Sequence, residues 1–450
     1  MPSLRSILQA TSQESLGQNI EEKTAPNLRF GREELMSYKL TPAQPADVDS
    51  LTEMYRLCYP LIDLSPEERY NYFVRNPRCS LEDVFVVKDG KEPIASMIAY
   101  RFDQFQEEVE IPVIGIANVM VAPNHRKRGV ANFMMQRSLE IFEEEGIAAA
   151  ILYPFEHRFY RYLGWGYAGE IRQYQIRCRQ LAEYLEEEED DDLETVLFQE
   201  RQMPQLMEFY DAVASRSNGM LRRNEEYWRG KLVAPPRQAV LAYYNGEMIG
   251  YLIYSLEKIH TDNPFVQEIV VHEWMAPTLD ARDALLGFLA KQSDQVESIR
   301  LSLQPDEPFH LWVDDPRNLD HRFLNRLYAH TAMVGLGWMY RLVSLKEAFE
   351  SGRRFNNVKG VLKIEVEDDQ LGDREIGVTF SGNGAKVDKA ASKPERIVRG
   401  SVEIVSQLFC GYTTAEEAYE QDLLEFEGKD TIEFCQQAFW LPAPRCYDLF

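Results

Sequence analysis

Cysteine is scarce and scattered: Cys58, Cys79, Cys178, Cys410, Cys435 and Cys446 form no CxxC pair. That excludes a dense disulfide scaffold and a thiol-rich zinc site, and makes a reducing, cytoplasmic setting the expectation. Six of the seven histidines (His157, His260, His272, His310, His321 and His330) show no ligand spacing, and His125 reads as a polar flank of a basic loop, so no metal is expected. No apolar run approaches the ~18–20 residues that cross a bilayer. Met1–Phe30 lacks a signal-peptide hydrophobic region and reads as a polar tail, residues 1–33 in all, with one short helix near Leu4–Ala10. Positive charge is also short: 49 Lys and Arg against 73 Asp and Glu give a formal net charge of -24. Such a surface repels nucleic acid and favours encounter with cationic amines.

What is present is globular. A 45% hydrophobic content over 450 residues is enough for two to four domains with real cores. The most informative stretch is Asn118–Asn132, N-V-M-V-A-P-N-H-R-K-R-G-V-A-N. An apolar strand stops at Pro123, turns through a basic loop and enters a helix at Gly129. A helix start carries four N–H groups without intrahelical partners and roughly half a positive charge, which suits a pyrophosphate. Gly129 permits close approach, and Ala131 keeps the next turn clear. The spacing R-x-x-G-x-A is neither the dinucleotide fingerprint nor the Walker loop. It resembles motif A of the GNAT N-acetyltransferases, which hold acetyl-CoA. The bland alternative is a basic βα turn without a ligand.

Around this motif the pattern predicts a strand over Met36–Leu40, a helix through Tyr55 capped by Asp47 or Asp49, and a hairpin of Val84–Val87 with Pro93–Tyr100. Strands over Glu108–Ile111 and Gly115–Val121, the motif helix to about Glu144 and a strand over Ala148–Tyr153 complete a first domain, residues 34–180. The acidic run Glu186–Asp192 marks a connector. Residues 193–338 repeat the outline, with strands at Ala239–Tyr244 and Met248–Tyr254 around Asn245-Gly246, at Glu268–Trp274 and at Ser298–Leu303, and a helix near Asp280–Lys291. Here Ala276–Arg282 replaces the phosphate loop, and Asp280 and Asp283 would repel a pyrophosphate. Residues 339–450 read as a separate α+β module, with strands beginning at Leu342–Val343, over Val361–Val366 and over Ile376–Phe380, and a helix over Val398–Phe409 ending at Gly411. Thr413 or Thr414 would cap a further acidic helix.

Together these segments resemble the Eis-type (enhanced intracellular survival) acetyltransferases. The resemblance rests on Val119–Asn132, the loop Phe159–Tyr167 (F-Y-R-Y-L-G-W-G-Y), Gly337–Val343 and the final phenylalanine. It implies a mixed α/β (α+β) chain of tandem GNAT folds, the second without a coenzyme site, followed by a sterol-carrier-protein-2-like domain. It also implies a homohexamer that uses acetyl-CoA as cosubstrate and no metal.

By the same resemblance, Tyr160 is the general acid that protonates the departing coenzyme A thiolate, and the α-carboxylate of Phe450 is the base. Glu156 and Asp448 are the side-chain competitors for that second role. Main-chain groups of Val119, Met120 and Val121 would meet the pantetheine and acetyl group. Lys127, Arg128, Gly129, Val130, Ala131 and Asn132 would surround the pyrophosphate. Phe155 and Glu156 complete the coenzyme stretch, although Phe155 stands where a small polar residue is expected. No cysteine lies in the motif, so direct attack in a ternary complex is expected. The acceptor would be a cationic amine: an aminoglycoside, a polyamine-like compound or a lysine side chain. The competing reading is a non-catalytic lipid or sterol carrier built on the third domain.

Overall fold

A computed structural model of the chain describes residues 38–185, 192–233, 237–259, 262–263, 265–388 and 394–450. The polar tail, the start of the strand expected over Met36–Leu40 and most of the acidic connector lie outside the described residues.

The first unit opens with β1 (Leu40–Pro42), placed by the pair Leu40↔Val87 and so later than expected. Helix α1 (Val48–Cys58) buries Val48, Leu51, Met54 and Tyr55. Asp47 does not cap it: its carboxylate accepts from Gln44 N at 2.8 Å and pairs with Lys88 at 2.7 Å, closing the turn before the helix. Helix α2 (Pro66–Val74) starts at a Ser65–Glu68 capping box. Strands β2 (Val84–Asp89), β3 (Glu92–Gln106) and β4 (Val109–Val121) follow. The sequence suggests two strands where β4 is one. Its register with β3 runs unbroken from Ile98↔Ala117 to Gln106↔Val109, which carries it through Pro112. The unit continues with α3 (Val130–Glu144), β5 (Ala149–Leu152), α4 (His157–Tyr162) and β6 (Gly166–Tyr167).

The second unit comprises β7 (Glu170–Arg177), β8 (Leu193–Leu197), α5 (Met203–Ala214), α6 (Glu225–Val233), β9 (Gln238–Tyr244), β10 (Glu247–Lys258) and β11 (Gln267–Met275). Then come α7 (Leu279–Ala290), β12 (Val296–Leu303), the small hairpin β13 (Phe323–Leu324) and β14 (Tyr328–Ala329), and β15 (Ala332–Leu336). Its sheet order is β15-β7-β12-β11-β10-β9-β8. Asn245 and Gly246 both adopt positive φ (51° and 81°), as a tight hairpin turn requires.

The third module supplies β16 (Met339–Leu342), α8 (Leu345–Phe349), β17 (Lys359–Glu367), β18 (Arg374–Ser381), β19 (Ala385–Asp388) and β20 (Ile397–Ser401). Helices α9 (Val402–Cys410) and α10 (Ala415–Glu420), strand β21 (Glu425–Glu427) and helix α11 (Thr431–Phe439) complete it. Its sheet order is β19-β18-β17-β20-β21. The stretch expected as one helix over Val398–Phe409 divides. Its first residues pair parallel with β17, and Ser401 then caps α9 by accepting from Ile404 N at 3.4 Å. Gly411, at φ 77°, ends that helix, and Thr414 caps α10.

Two strands cross the boundaries read from the sequence. β7, assigned to the first domain, belongs to the second sheet. β16, assigned to the third, lies in the first sheet between β5 and β6, giving the order β1-β2-β3-β4-β5-β16-β6.

Candidate active site

The site begins where β4 loses a neighbour. β5 runs parallel to β4 only from Val113↔Ala149 to Ile116↔Leu152. Beyond that, two residues of β4 (Asn118 and Val119) stand opposite Met97 alone, a bulge with Asn118 at φ 51°. The edge from Val119 to Val121 is therefore free of strand pairing on the β5 side. Its carbonyls are held by side chains: Val119 O accepts from the Tyr59 hydroxyl at 3.5 Å, and Val121 O from Arg126 Nε at 3.2 Å and Cys58 Sγ at 3.4 Å. Cys58 thus reaches the motif in space although not in sequence. Its Sγ is the donor in that contact.

After Pro123–His125 the chain alternates conformations. Arg126 is extended, Lys127 is left-handed at φ 61° and Gly129 at φ 75°. Such alternation turns successive amides towards one concavity. The first helical bond of α3 runs from Phe133 N to Gly129 O at 3.0 Å. Gly129 offers no side chain to cap the amides of Val130, Ala131 and Asn132, and these suit the oxygens of a diphosphate. Exposed Lys127 and Arg128 add charge. The equivalent helix of the second unit begins differently: Thr278 Oγ1 already accepts from Ala281 N at 3.2 Å, and Asp280 occupies the first turn.

Tyr160, on α4, is 2% exposed. Its ring sits among Phe159, Phe155 and Trp165, with centroids 5.0, 6.0 and 6.2 Å away. Burial pushes its phenol well above the usual tyrosine range, and nearby Tyr59 adds to the effect. Phe155 is 78% exposed and so forms an apolar rim beside it. Glu156 caps α4, accepting from Arg158 N at 3.2 Å. The glycines of the following loop have a packing reason. A Cβ on Gly164, at φ 88°, would lie 2.6 Å from Val402 Cγ1, and one on Gly166 would lie 2.5 Å from the Glu403 carbonyl. The third module's α9 docks through those two gaps, and Arg161 pairs with Glu403 at 2.8 Å.

Phe450 sits on the first unit's sheet. Its ring packs on Phe102, Tyr153 and Tyr100, with centroids 5.3, 5.4 and 6.4 Å away. Residues opposite one another on neighbouring strands share a face. Tyr100, Gly115 and Ile151 are such a set, and Gly115 makes room for the terminal ring. A Cβ there would stand 2.4 Å from Phe102 Cε2 and 3.0 Å from Phe450 Cε2. Gly115→Ala is therefore expected to cost about 1–3 kcal/mol through overpacking, read as a lowered denaturation midpoint, and to displace Phe450.

Asp448 is not available as a base. It is 2% exposed, accepts from Arg223 Nε at 2.9 Å and from the Tyr227 hydroxyl, and lies 3.6 Å from Lys231 Nζ. Arg223 also forks onto Glu273 at 2.8 and 3.0 Å. Burial would raise the Glu273 carboxyl, but Arg223 and Lys231 outweigh it and hold the group at about 2. Sequence reasoning missed Tyr59, Arg78, Tyr153 and Arg223. Each is an ordinary residue of a helix, loop or strand end, and only the folded chain gives it a partner in the site. Among the described residues no group of side chains is placed to hold a metal ion.

Residues 39–168 and residues 219–342 each match an acetyltransferase (GNAT) domain model. An uncharacterized N-acetyltransferase from Streptomyces griseus is 26% identical over 277 residues, covering 56% of this chain and 62% of that protein. The chain thus spans less than two thirds of that relative's length. Another from Streptomyces avermitilis is 22% identical over 322 residues, covering 66% of this chain and 74% of its own. A GCN5-related N-acetyltransferase from Anabaena variabilis superposes with a TM-score of 0.76 at 20% identity. Eis1 from Mycobacterium abscessus does so with 0.70 at 19%. Both cover 92% of this chain and 100% of theirs, likenesses that establish the fold alone.

Proposed function

With two GNAT acetyltransferase domains in tandem as the premise, we propose that the chain transfers an acetyl group from acetyl-CoA to a primary amine in the first unit. The observation that carries this is the open edge of Val119–Val121 running into the uncapped amides at Gly129, with Tyr160 and Phe450 both brought to the first unit. The amine nitrogen attacks the thioester carbonyl and the C–S bond breaks. The Phe450 α-carboxylate takes the proton lost by the amine, and the Tyr160 phenol gives its proton to the coenzyme A sulfur. Attack is direct, in a ternary complex. A net charge of -24 draws a cationic acceptor, an aminoglycoside, a polyamine-like compound or a lysine side chain. Coenzyme A release from acetyl-CoA, followed with a panel of amines, tests the reading. Tight acetyl-CoA binding with no release beyond background for any amine would sink it.

The lipid-carrier reading is not favoured. Phe349, Phe355, Phe380, Phe409 and Phe439 pack edge to face or stacked through the third module's interior. The hollow beside them, lined by Leu408, Cys435 and Phe439, is about 10 Å³, room for a water and not an acyl chain. We read this module as a sterol-carrier-type fold that serves as architecture.

We also propose that the chain assembles as a homo-oligomer, a hexamer, through the edge of the second sheet. Leu327 (82% exposed), Tyr328 (67%) and Val334 (63%) crowd β15 and the β13–β14 hairpin. An unpaired edge this apolar invites another chain. Leu327→Glu with Val334→Glu is expected to reduce the sedimenting mass to that of a smaller species. An unchanged mass would rule the edge out as the interface.

A further inference from the structure

The last ten residues, 441–450, form neither helix nor strand, yet they are held along their length. The hands that hold them belong almost wholly to the second unit. Asn218 donates to Pro442 O at 2.8 Å, and its own carbonyl takes the Arg445 N–H at 2.8 Å. Gly219, at φ 94°, lets the tail pass: a Cβ there would lie 2.9 Å from Arg445 O. Lys231 Nζ donates to Tyr447 O at 3.0 Å. Asp448 then enters a buried neutral quartet with Arg223, Lys231 and Glu273, all four side chains at most 7% exposed. The Arg223 guanidinium is boxed by the Tyr210 and Trp228 rings at 4.0 and 4.6 Å. From the first unit, Arg78 donates to Leu449 O at 2.7 Å while stacking on Tyr100 at 4.9 Å and Tyr227 at 5.5 Å.

We propose that the second GNAT unit, which has no coenzyme cradle of its own, is the mount for the terminal residue: Asp448, docked on Arg223 and Lys231, is a positioning residue that seats Phe450 on the first unit's sheet. Removing the Asp448 charge leaves Arg223 and Lys231 with Glu273 as the one anion in the buried pocket, a cost that falls on the docked tail and not on the undocked one. A tail docked in only a fraction of molecules lowers turnover by that fraction without touching acetyl-CoA affinity. The consequence for turnover rests on the role given to Phe450 above; the docking itself does not.

Two variants of the full chain test it, Asp448→Asn and the milder Tyr227→Phe, which keeps the ring and loses one donor to Asp448. Each is exposed to a carboxypeptidase under native conditions and the freed phenylalanine is measured, beside kcat, the acetyl-CoA dissociation constant and a melting curve. Asp448→Asn should free phenylalanine about tenfold faster than the parent and lower kcat in parallel, with the dissociation constant unchanged. Tyr227→Phe should move both readouts the same way by about threefold. Parent-like release from both variants, folded by their melting curves, overturns the latch. Faster release with kcat unchanged upholds the latch and removes Phe450 from the reaction.

Discussion

A chain ending at Leu449 is expected to lose amine acetylation by about 10²–10⁴-fold, the range that a positioned acid or base contributes. Acetyl-CoA binding should survive, because the cradle from Val119 to Asn132 makes none of its hydrogen bonds with the tail. The loss comes from chemistry and not from unfolding: Phe450 is a partly buried terminal ring over Gly115, while Asp448 and its partners remain in place. Calorimetry with acetyl-CoA and turnover on the same preparation separate the two effects. Undiminished turnover would transfer the base to another group, and Glu156 would have to leave its capping bond to Arg158 N to serve.

Tyr160→Phe is expected to lower kcat by a similar factor, about 10²–10⁴-fold, with little change in acetyl-CoA affinity. The hydroxyl is the only atom lost, and the ring stays packed among Phe155, Phe159 and Trp165. Two further readouts isolate the proton. Because burial raises the Tyr160 phenol, its protonated form persists as pH climbs. The parent's kcat should then show no fall near pH 10, where an ordinary phenol ionises at about its reference value. An acetyl thioester with a more acidic thiol needs less help to depart, so it should recover much of the variant's rate. A variant equally slow with both thioesters would assign Tyr160 a packing role only.

Local order was legible where a residue type has a local cause. Gly129, Asn245-Gly246, Gly411 and Thr414 occupy the turns and caps their chemistry suggests. The long-range partners were not legible. Nothing in V-R-G-S states that Val398–Ser401 will lie beside β17, so the first third of a run read as helix is strand. Asp47 looks like a cap until Lys88 is seen to claim it. Asp448 looks like a free acid near the chain's end until Arg223, many residues earlier, meets it. The motif loop was found because its chemical pattern is local to it. Tyr59 was missed because its part in the site is a single hydroxyl reaching across from just past the end of α1.

The strand β16 carries a consequence for how such a chain comes into being. Leu342 to Met339 seal the edge of Ala149 to Leu152, so the first sheet waits for a segment made long after its other strands have left the ribosome. Until then, Ala149, Ala150 and Ile151, fully buried in the finished protein, border an open ladder of backbone donors and acceptors. A gene cut after the second unit's helices would not yield a weaker version of this protein. It would yield a half-closed sheet ready to pair with its neighbours, which binds the fate of the loop from Val119 to Asn132 to residues that never touch it.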